Sequence, residues 1–160
     1  MRQDHRLSRM LHVLIHLDRH RKHATSEEIA TMLRTNPVVV RRTLGGLRKV
    51  GLVTSEKGHG GGWRLARGLS EISLRDIYTA LGEPPLFAIG NAEDEPDCLV
   101  EKAVNSAIDD TLGLARTLLL DRFATITLAD IAADFDRRLQ DYPVEAQRFG
   151  HAHATDETKV

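Results

Sequence analysis

Two helix-start signals lie only eleven residues apart in this 160-residue chain, and they constrain its fold more than any other feature. The first is a capping box that begins at Thr25, in which the side chain of Glu28 can reach back to the helix start. The second is Asn36-Pro37, an N-cap residue followed by a proline at the first helical position, where its missing N–H costs nothing. The first of these helices therefore ends near Leu33, before a turn of three residues. Two short helices joined by such a turn predict a helix-turn-helix.

The elements on either side of this turn predict a winged helix-turn-helix. Leucines at a helical spacing predict a helix over residues 6–20, and the helix after the turn continues to Val50. Its apolar residues that are spaced to face inward are Val40, Leu44 and Leu47. A strand over 52–55, a glycine-rich tip over 57–62 and a returning strand over 63–65 then form a small two-stranded wing.

The second half of the chain is also predicted to be helical, so the fold class is mainly α. Ser73 caps a fourth helix, residues 82–96 form an irregular loop, and a long helix follows over 99–123. A capping box at Thr127 begins a last, short helix. The long helix carries an apolar stripe formed by Val100, Ala103, Val104, Ala107, Ile108, Leu112, Ala115, Leu118 and Leu119. A small domain cannot cover a stripe of this length, so we expect a second copy of the chain to do so.

These elements divide the chain into four segments. Residues 1–81 are predicted to form the winged helix-turn-helix domain, and residues 82–98 form a loop that is a candidate sensor region. Residues 99–142 hold the long dimerisation helix and the short helix after it. Residues 143–160 form a polar tail that we expect to be flexible.

Charge is divided unevenly along the chain, although its net value is only −1. Residues 1–70 carry 14 Lys and Arg against 5 Asp and Glu, a net charge of +9, whereas residues 71–160 carry 8 against 18, a net charge of −10. Such an asymmetry is typical of a chain whose basic half binds a polyanion. The alternative is a pair of oppositely charged faces that dock on each other.

The composition of the chain indicates where in the cell the protein is expected. No apolar run approaches the roughly 20 residues that span a bilayer, and no cleavable signal pattern follows the basic first residues. A single cysteine excludes an internal disulfide. We therefore expect a cytoplasmic protein that does not associate with a membrane.

The start of the third helix is the expected reading element, because the first residues of such a helix meet base edges in the major groove. Arginine can pair with guanine and asparagine with adenine, and valine can touch a thymine methyl group. The candidate DNA-binding residues are Asn36, Val38, Arg41, Arg42 and Arg48 on this helix, and Lys57, His59 and Arg64 on the wing. The alternative for Arg41 and Arg42 is a solvated basic face, and Arg48 can also complement the dipole at the helix end.

The glycine-rich tip does not have the pattern of a nucleotide-binding loop. It lacks the Gly-Lys-Ser/Thr ending and joins two strands rather than a strand and a helix. We expect its glycines to allow unusual backbone angles and a close approach to DNA. Trp63 is expected to pack at the base of the wing.

Four segments resemble the Rrf-two (Rrf2) family of bacterial winged-helix regulators: LGGLRKVGLVTS at 44–55, KGHGGGWRLA at 57–66, ISLRDI at 72–77 and ITLADI at 126–131. The family includes iron–sulfur-cluster, nitric-oxide and cysteine-metabolism regulators, and the resemblance covers roughly residues 6–140. It implies a homodimer formed through the long helix, residues 99–123, that binds a pseudo-palindromic operator in double-stranded DNA. Members of this family act usually as repressors.

The resemblance does not extend to the usual sensor of the cluster-binding members. Those members carry three closely spaced cysteines, whereas this chain has only Cys98, so a three-cysteine iron–sulfur site is absent. Three interpretations of Cys98 stay open: an unreactive residue at a helix start, a redox or electrophile switch, and a ligand of a metal or cluster with unusual ligation. In the last case, the family implies that His5 or His12 of the partner's first helix supplies a ligand. If the histidines along that helix bind no metal, they form a solvated polar face.

Two other classes of function are weighed against a DNA-binding regulator. An enzyme is disfavoured, because the sequence has no Gly-x-Ser-x-Gly elbow and no carboxylate pair with a plausible pocket. A winged helix that binds protein rather than DNA would present an apolar third helix. Here the third helix carries Arg41, Arg42, Arg48 and Lys49.

Overall fold

The structure, a computed structural model, describes residues 4–19, 23–58, 61–92 and 97–141, which are mainly helical. The elements are α1 (Arg6–Arg19), α2 (Ser26–Leu33), α3 (Pro37–Lys49), β1 (Val53–Glu56), β2 (Gly62–Leu65), α4 (Leu74–Ala80), α5 (Leu99–Thr125) and α6 (Leu128–Gln140). Each predicted helix and strand is present, with ends within two residues of those expected. One turn of 3₁₀-helix, Leu69–Glu71, was not predicted. Within the described ranges, no helix is both long and apolar enough to cross a membrane.

The helix-turn-helix and the wing share one hydrophobic core. Val40, Leu44 and Leu47 of α3 are buried in it, as their spacing predicts. Trp63 of β2 is also buried, and its Nε1 donates a hydrogen bond of 3.0 Å to the hydroxyl of Ser26, the first residue of α2. The base of the wing is therefore fixed to the helix that precedes the turn.

The wing is joined to the chain before α2 by a further β-bridge. β1 and β2 pair antiparallel, and Ala24 pairs with the outer edge of β2 through two backbone hydrogen bonds with Trp63, of 3.1 and 2.8 Å. Gly62 has a φ of +151°, and a Cβ atom there would lie 2.6 Å from the Ala24 carbonyl oxygen. The unusual backbone angle predicted for the glycines of the tip is confirmed at Gly62, and a contact within the chain also requires a glycine there.

The junction between α5 and α6 packs against the first half of the chain and the start of α4. The backbone amide of Leu74 donates to Ile126, and that of Leu128 donates to Ile72, each at 2.9 Å. Leu128 is fully buried in the same core as α1 and α3. The end of α5 is thus held directly against the half of the chain that contains the helix-turn-helix.

Arg19 connects α6 to the end of α1. Its Nη2 donates to the Ala132 carbonyl at 3.2 Å and pairs with Asp136 at 2.7 Å, and its guanidinium lies 5.4 Å from the centre of the Phe135 ring. A basic residue of the first half therefore pairs with an aspartate of the second half.

The described part of the 82–96 loop lies along α4 and α5. Tyr78 Oη donates to the carbonyl oxygen of Pro84 at 2.9 Å, and Glu83 pairs with Arg116 at 2.6 Å. Asn91 Nδ2 donates to a carboxylate of α5 at 2.9 Å. This segment has no regular secondary structure, as predicted, yet side-chain hydrogen bonds fix its course. Residues 93–96 and the tail over 142–160 lie outside the described residues.

Helix α5 has two apolar faces rather than the single stripe that the sequence suggested. Ile108, Leu112, Ala115 and Leu119 are half-buried within the chain. Val100, Val104 and Leu118 are exposed to 71%, 51% and 74%. The stripe divides because α4 and the loop cover only one side of the helix, and the other side faces outward.

Candidate nucleic-acid interface

The first turn of α3 presents its outer side to solvent. Because Val40 and Leu44 point into the core, Val38, which is 63% exposed, and Arg42 lie on the opposite side. Asn36 caps the helix, since its Oδ1 accepts a hydrogen bond of 2.8 Å from the Val38 amide. A paired contact of Asn36 with adenine would require this oxygen, which has two lone pairs, to accept a second hydrogen bond.

Arg41 is held from the side by the neighbouring helix. Its Nη1 lies 2.9 Å from Oε1 of Glu27, in the first turn of α2, and both side chains remain more than half exposed. A guanidinium has five N–H donors, so this contact leaves donors for a second acceptor. Glu27 is not among the residues predicted from the sequence, because no local pattern marks two residues that are brought together by the packing of α2 on α3.

The side chains of Arg48 and Arg64 are held by residues of the wing. Arg48 Nη1 donates to the Ser55 hydroxyl at 2.9 Å, and its guanidinium lies 5.9 Å from the centre of the Trp63 ring. Arg64 donates to the Thr54 hydroxyl at 3.2 Å and pairs with Glu56 at 3.1 Å. These contacts orient two of the candidate cations and join the end of α3 to the wing.

Other cations of this surface have no such partner among the described residues. Arg42, Lys49 and Lys57 are exposed, and their side chains make no hydrogen bond or ion pair within the described ranges. His59 of the predicted set lies outside the described residues. The interface therefore combines arginines that are held in place with cations that are free to reach a polyanion.

Two adjacent glycines interrupt the surface of α3. A Cβ atom on Gly46 would lie 3.2 Å from the carbonyl oxygen of Ala80, so α4 packs closely against this position. A Cβ atom on Gly45 would have nothing within 4 Å. A glycine inside a helix costs roughly 1 kcal/mol relative to alanine. The close packing of α4 explains the glycine at position 46, and no contact within the chain explains the one at position 45.

The predicted sensor residues lie on or beside two separate elements of the chain. Cys98 is the half-buried N-cap residue of α5, and its side chain makes no capping hydrogen bond. His5 precedes α1, and the rings of His12 and His16 lie 4.7 Å apart on that helix. Across the described ranges, no three His, Cys, Asp or Glu residues are grouped as metal ligands.

The chain is similar to known regulators in sequence and in fold. A sequence profile of the Rrf2 family, described as an iron-dependent transcriptional regulator, matches residues 4–134. A protein of Bacillus subtilis (strain 168) that is named as an HTH-type transcriptional regulator, YwnA, is 33% identical over 127 residues, which is 79% of this chain and 93% of YwnA.

Solved structures of regulators share this architecture. A protein from Lactobacillus plantarum that is named as a transcriptional regulator is 26% identical with a TM-score of 0.69, over 82% of this chain and 90% of that one. CymR (YrzC), the global cysteine regulator of B. subtilis, has a TM-score of 0.61 at 21% identity, over 83% of this chain and 97% of CymR. The likeness to CymR concerns the fold alone.

Proposed function

Because the chain belongs to the Rrf2 family of DNA-binding transcriptional regulators, a family of regulators and not of enzymes, we propose that it represses transcription as a homodimer bound to a pseudo-palindromic operator. In this proposal, α3 of each subunit enters the major groove of one half-site, and the wing contacts the adjacent backbone. Two-fold symmetry of the protein then requires two-fold symmetry of the site.

The outward face of α3 is the observation that carries DNA binding. Val38, Arg41 and Arg42 are exposed on its first two turns, where a recognition helix meets base edges. Lys57 extends the basic surface to the wing. A helix that docked on a protein would present a mainly apolar face here, whereas Val38 lies beside Arg41 and Arg42, so this face favours a polyanion over a protein partner.

The exposed face of α5 supports the homodimer. Its residues recur at alternating intervals of four and three, and they are Val100, Val104, Ala107, Thr111, Leu114 and Leu118, all exposed. This is the heptad spacing of helices that pack side by side. Thr111 turns its hydroxyl back to the Ala107 carbonyl at 2.8 Å, which leaves its methyl group toward a partner. A second copy of α5 would cover the face.

DNA selection from a random pool of duplexes tests the proposal. The wild-type full chain is expected to enrich a pseudo-palindromic sequence with half-site centres one helical turn, or a multiple of it, apart. Binding of that duplex, followed by fluorescence anisotropy, should weaken steeply as salt rises, because Lys and Arg release counterions from phosphates. Enrichment of no sequence, or affinity that does not change with salt, would contradict the proposal.

Sensing through Cys98 is proposed as a second, separate part of the function. Cys98 is followed directly by Leu99, the first residue of α5, so a modification there acts at the start of the dimerisation helix. Treatment with peroxide or a thiol reagent is expected to change DNA binding by the wild-type protein but not by Cys98→Ser. If the wild-type protein contains bound metal that Cys98→Ser lacks, Cys98 is a ligand of that metal. Identical behaviour of both proteins under every treatment would exclude both roles.

A further inference from the structure

Gly45 is the one glycine of α3 whose missing side chain has no explanation inside the chain. It lies in the interior of the helix with ordinary helical backbone, and the space around a Cβ atom would be open to 4 Å. The adjacent Gly46 and the wing residue Gly62 both meet backbone oxygens at 2.6–3.2 Å, so their lack of a side chain is explained.

The surroundings of Gly45 on the helix surface are basic. Residues three and four positions away on a helix share its face, and for Gly45 these are Arg41, Arg42, Arg48 and Lys49. All four are exposed. The open position therefore lies at the centre of the cations that the proposed function assigns to DNA.

We propose that Gly45 is the point of closest approach between the α3 backbone and DNA. This inference rests on the proposed function and adds to it a residue that determines specificity without a side chain. A side chain at position 45 would hold the helix axis away from the groove and lengthen the contacts of the residues one turn on either side. Base contacts depend on depth in the groove, whereas flexible Lys and Arg side chains can still reach phosphates.

Substitution of Gly45 by alanine separates folding from binding. Gly45→Ala is expected to raise Tm by about 2–4 °C, because alanine is the better helix residue and meets no atom of the chain. The affinity for the duplex selected by the wild-type protein should fall by about tenfold, and the affinity for a scrambled duplex by less than about threefold. Gly45→Leu, which keeps helix propensity but adds volume, should lose more affinity for the selected duplex than Gly45→Ala does.

Gly113 of α5 supplies the matched control. It is an exposed helical glycine with nothing within 4 Å of a Cβ atom, and it is far along the chain from the basic surface. Gly113→Ala should raise Tm by a similar amount and leave both DNA affinities unchanged.

The possible outcomes distinguish this inference from the proposed function. Failure of the wild-type protein to select any sequence overturns the proposed function. If selection succeeds, the inference is overturned by a Gly45→Ala protein that binds the selected duplex like the wild type, that loses both affinities equally, or that melts at a lower temperature. A gain in Tm with a selective loss of affinity supports it.

Discussion

Arg41 is the residue of α3 that we expect to read a base. Its ion pair with Glu27 fixes one side of the guanidinium and leaves the other for a base edge. Arg41→Ala is therefore expected to cost about 1–3 kcal/mol on the selected duplex and to relax base preference at one position in each half-site. Lys57→Ala is the comparison, since an exposed lysine on the wing should weaken selected and scrambled DNA by the same factor. Equal losses on both duplexes for Arg41→Ala would assign Arg41 to phosphate.

Glu27 should reduce binding to DNA that offers only phosphates. Its carboxylate lies beside Arg41 and repels phosphate groups, but it does not prevent the arginine from donating to a base. Glu27→Gln is expected to raise affinity for the scrambled duplex more than for the selected one, and to make the salt dependence steeper. Anisotropy titrations at several salt concentrations measure both effects. Asp18→Asn removes the same charge from an exposed position on α1 and should change the ratio of the two affinities less.

At the scale of elements, a feature could be predicted when the residues that specify it lie close together in sequence. The capping boxes at Thr25, Ser73 and Thr127 each lie within four residues of sequence, and all three are present in the structure. The bridge between Ala24 and Trp63 and the pair of Glu27 with Arg41 join residues far apart in sequence. Nothing local specifies such contacts, because they arise only when the helices pack. The outward side of α3 was therefore predictable, but the partners of its arginines were not.

The capping box of α6 predicts a dependence of stability on pH. The Thr127 amide and hydroxyl each donate to Asp130 at 2.8 Å, and these bonds lower the pKa of that carboxyl below its ordinary value of 3.8. When the pKa of a carboxyl is lower in the folded state, its ionised form stabilises the folded protein at every pH above the ordinary pKa. This stabilisation is lost as the pH falls through the lowered pKa. Asp130→Asn should therefore lower Tm near neutral pH, and its deficit relative to wild type should shrink as pH falls below about 4. A deficit that is constant between about pH 7 and about pH 3 would contradict this origin.

At the scale of the whole molecule, the two oppositely charged halves share one hydrophobic core, to which the second half contributes Ile72, Ile77, Leu81 and Leu128. Arg19 of the basic half adds an ion pair with Asp136 of α6. Most of the cations on α3 and the wing are exposed to solvent. Packing of one half on the other therefore does not neutralise the basic surface. Because α6 follows α5 directly, a shift of α5 would be transmitted to α1 through a short and packed connection.

The exposed face of α5 makes the assembly testable without DNA. Leu118 is 74% exposed and lies in the heptad series, so Leu118→Asp would place an unpaired charge inside the proposed seam. Sedimentation velocity at micromolar concentration should show a dimer for the wild type and a monomer for this variant. Ser106→Asp, an exposed position on α5 outside the series, should remain a dimer.

The same variant connects assembly to operator binding. A monomer reaches only one half-site at a time, so Leu118→Asp should bind the full selected duplex no more tightly than a duplex that contains a single half-site. The wild-type protein should prefer the full duplex strongly, because binding of the second half-site is then intramolecular. A wild-type monomer, or a Leu118→Asp dimer that keeps this preference, would show that the two reading helices are joined through another surface.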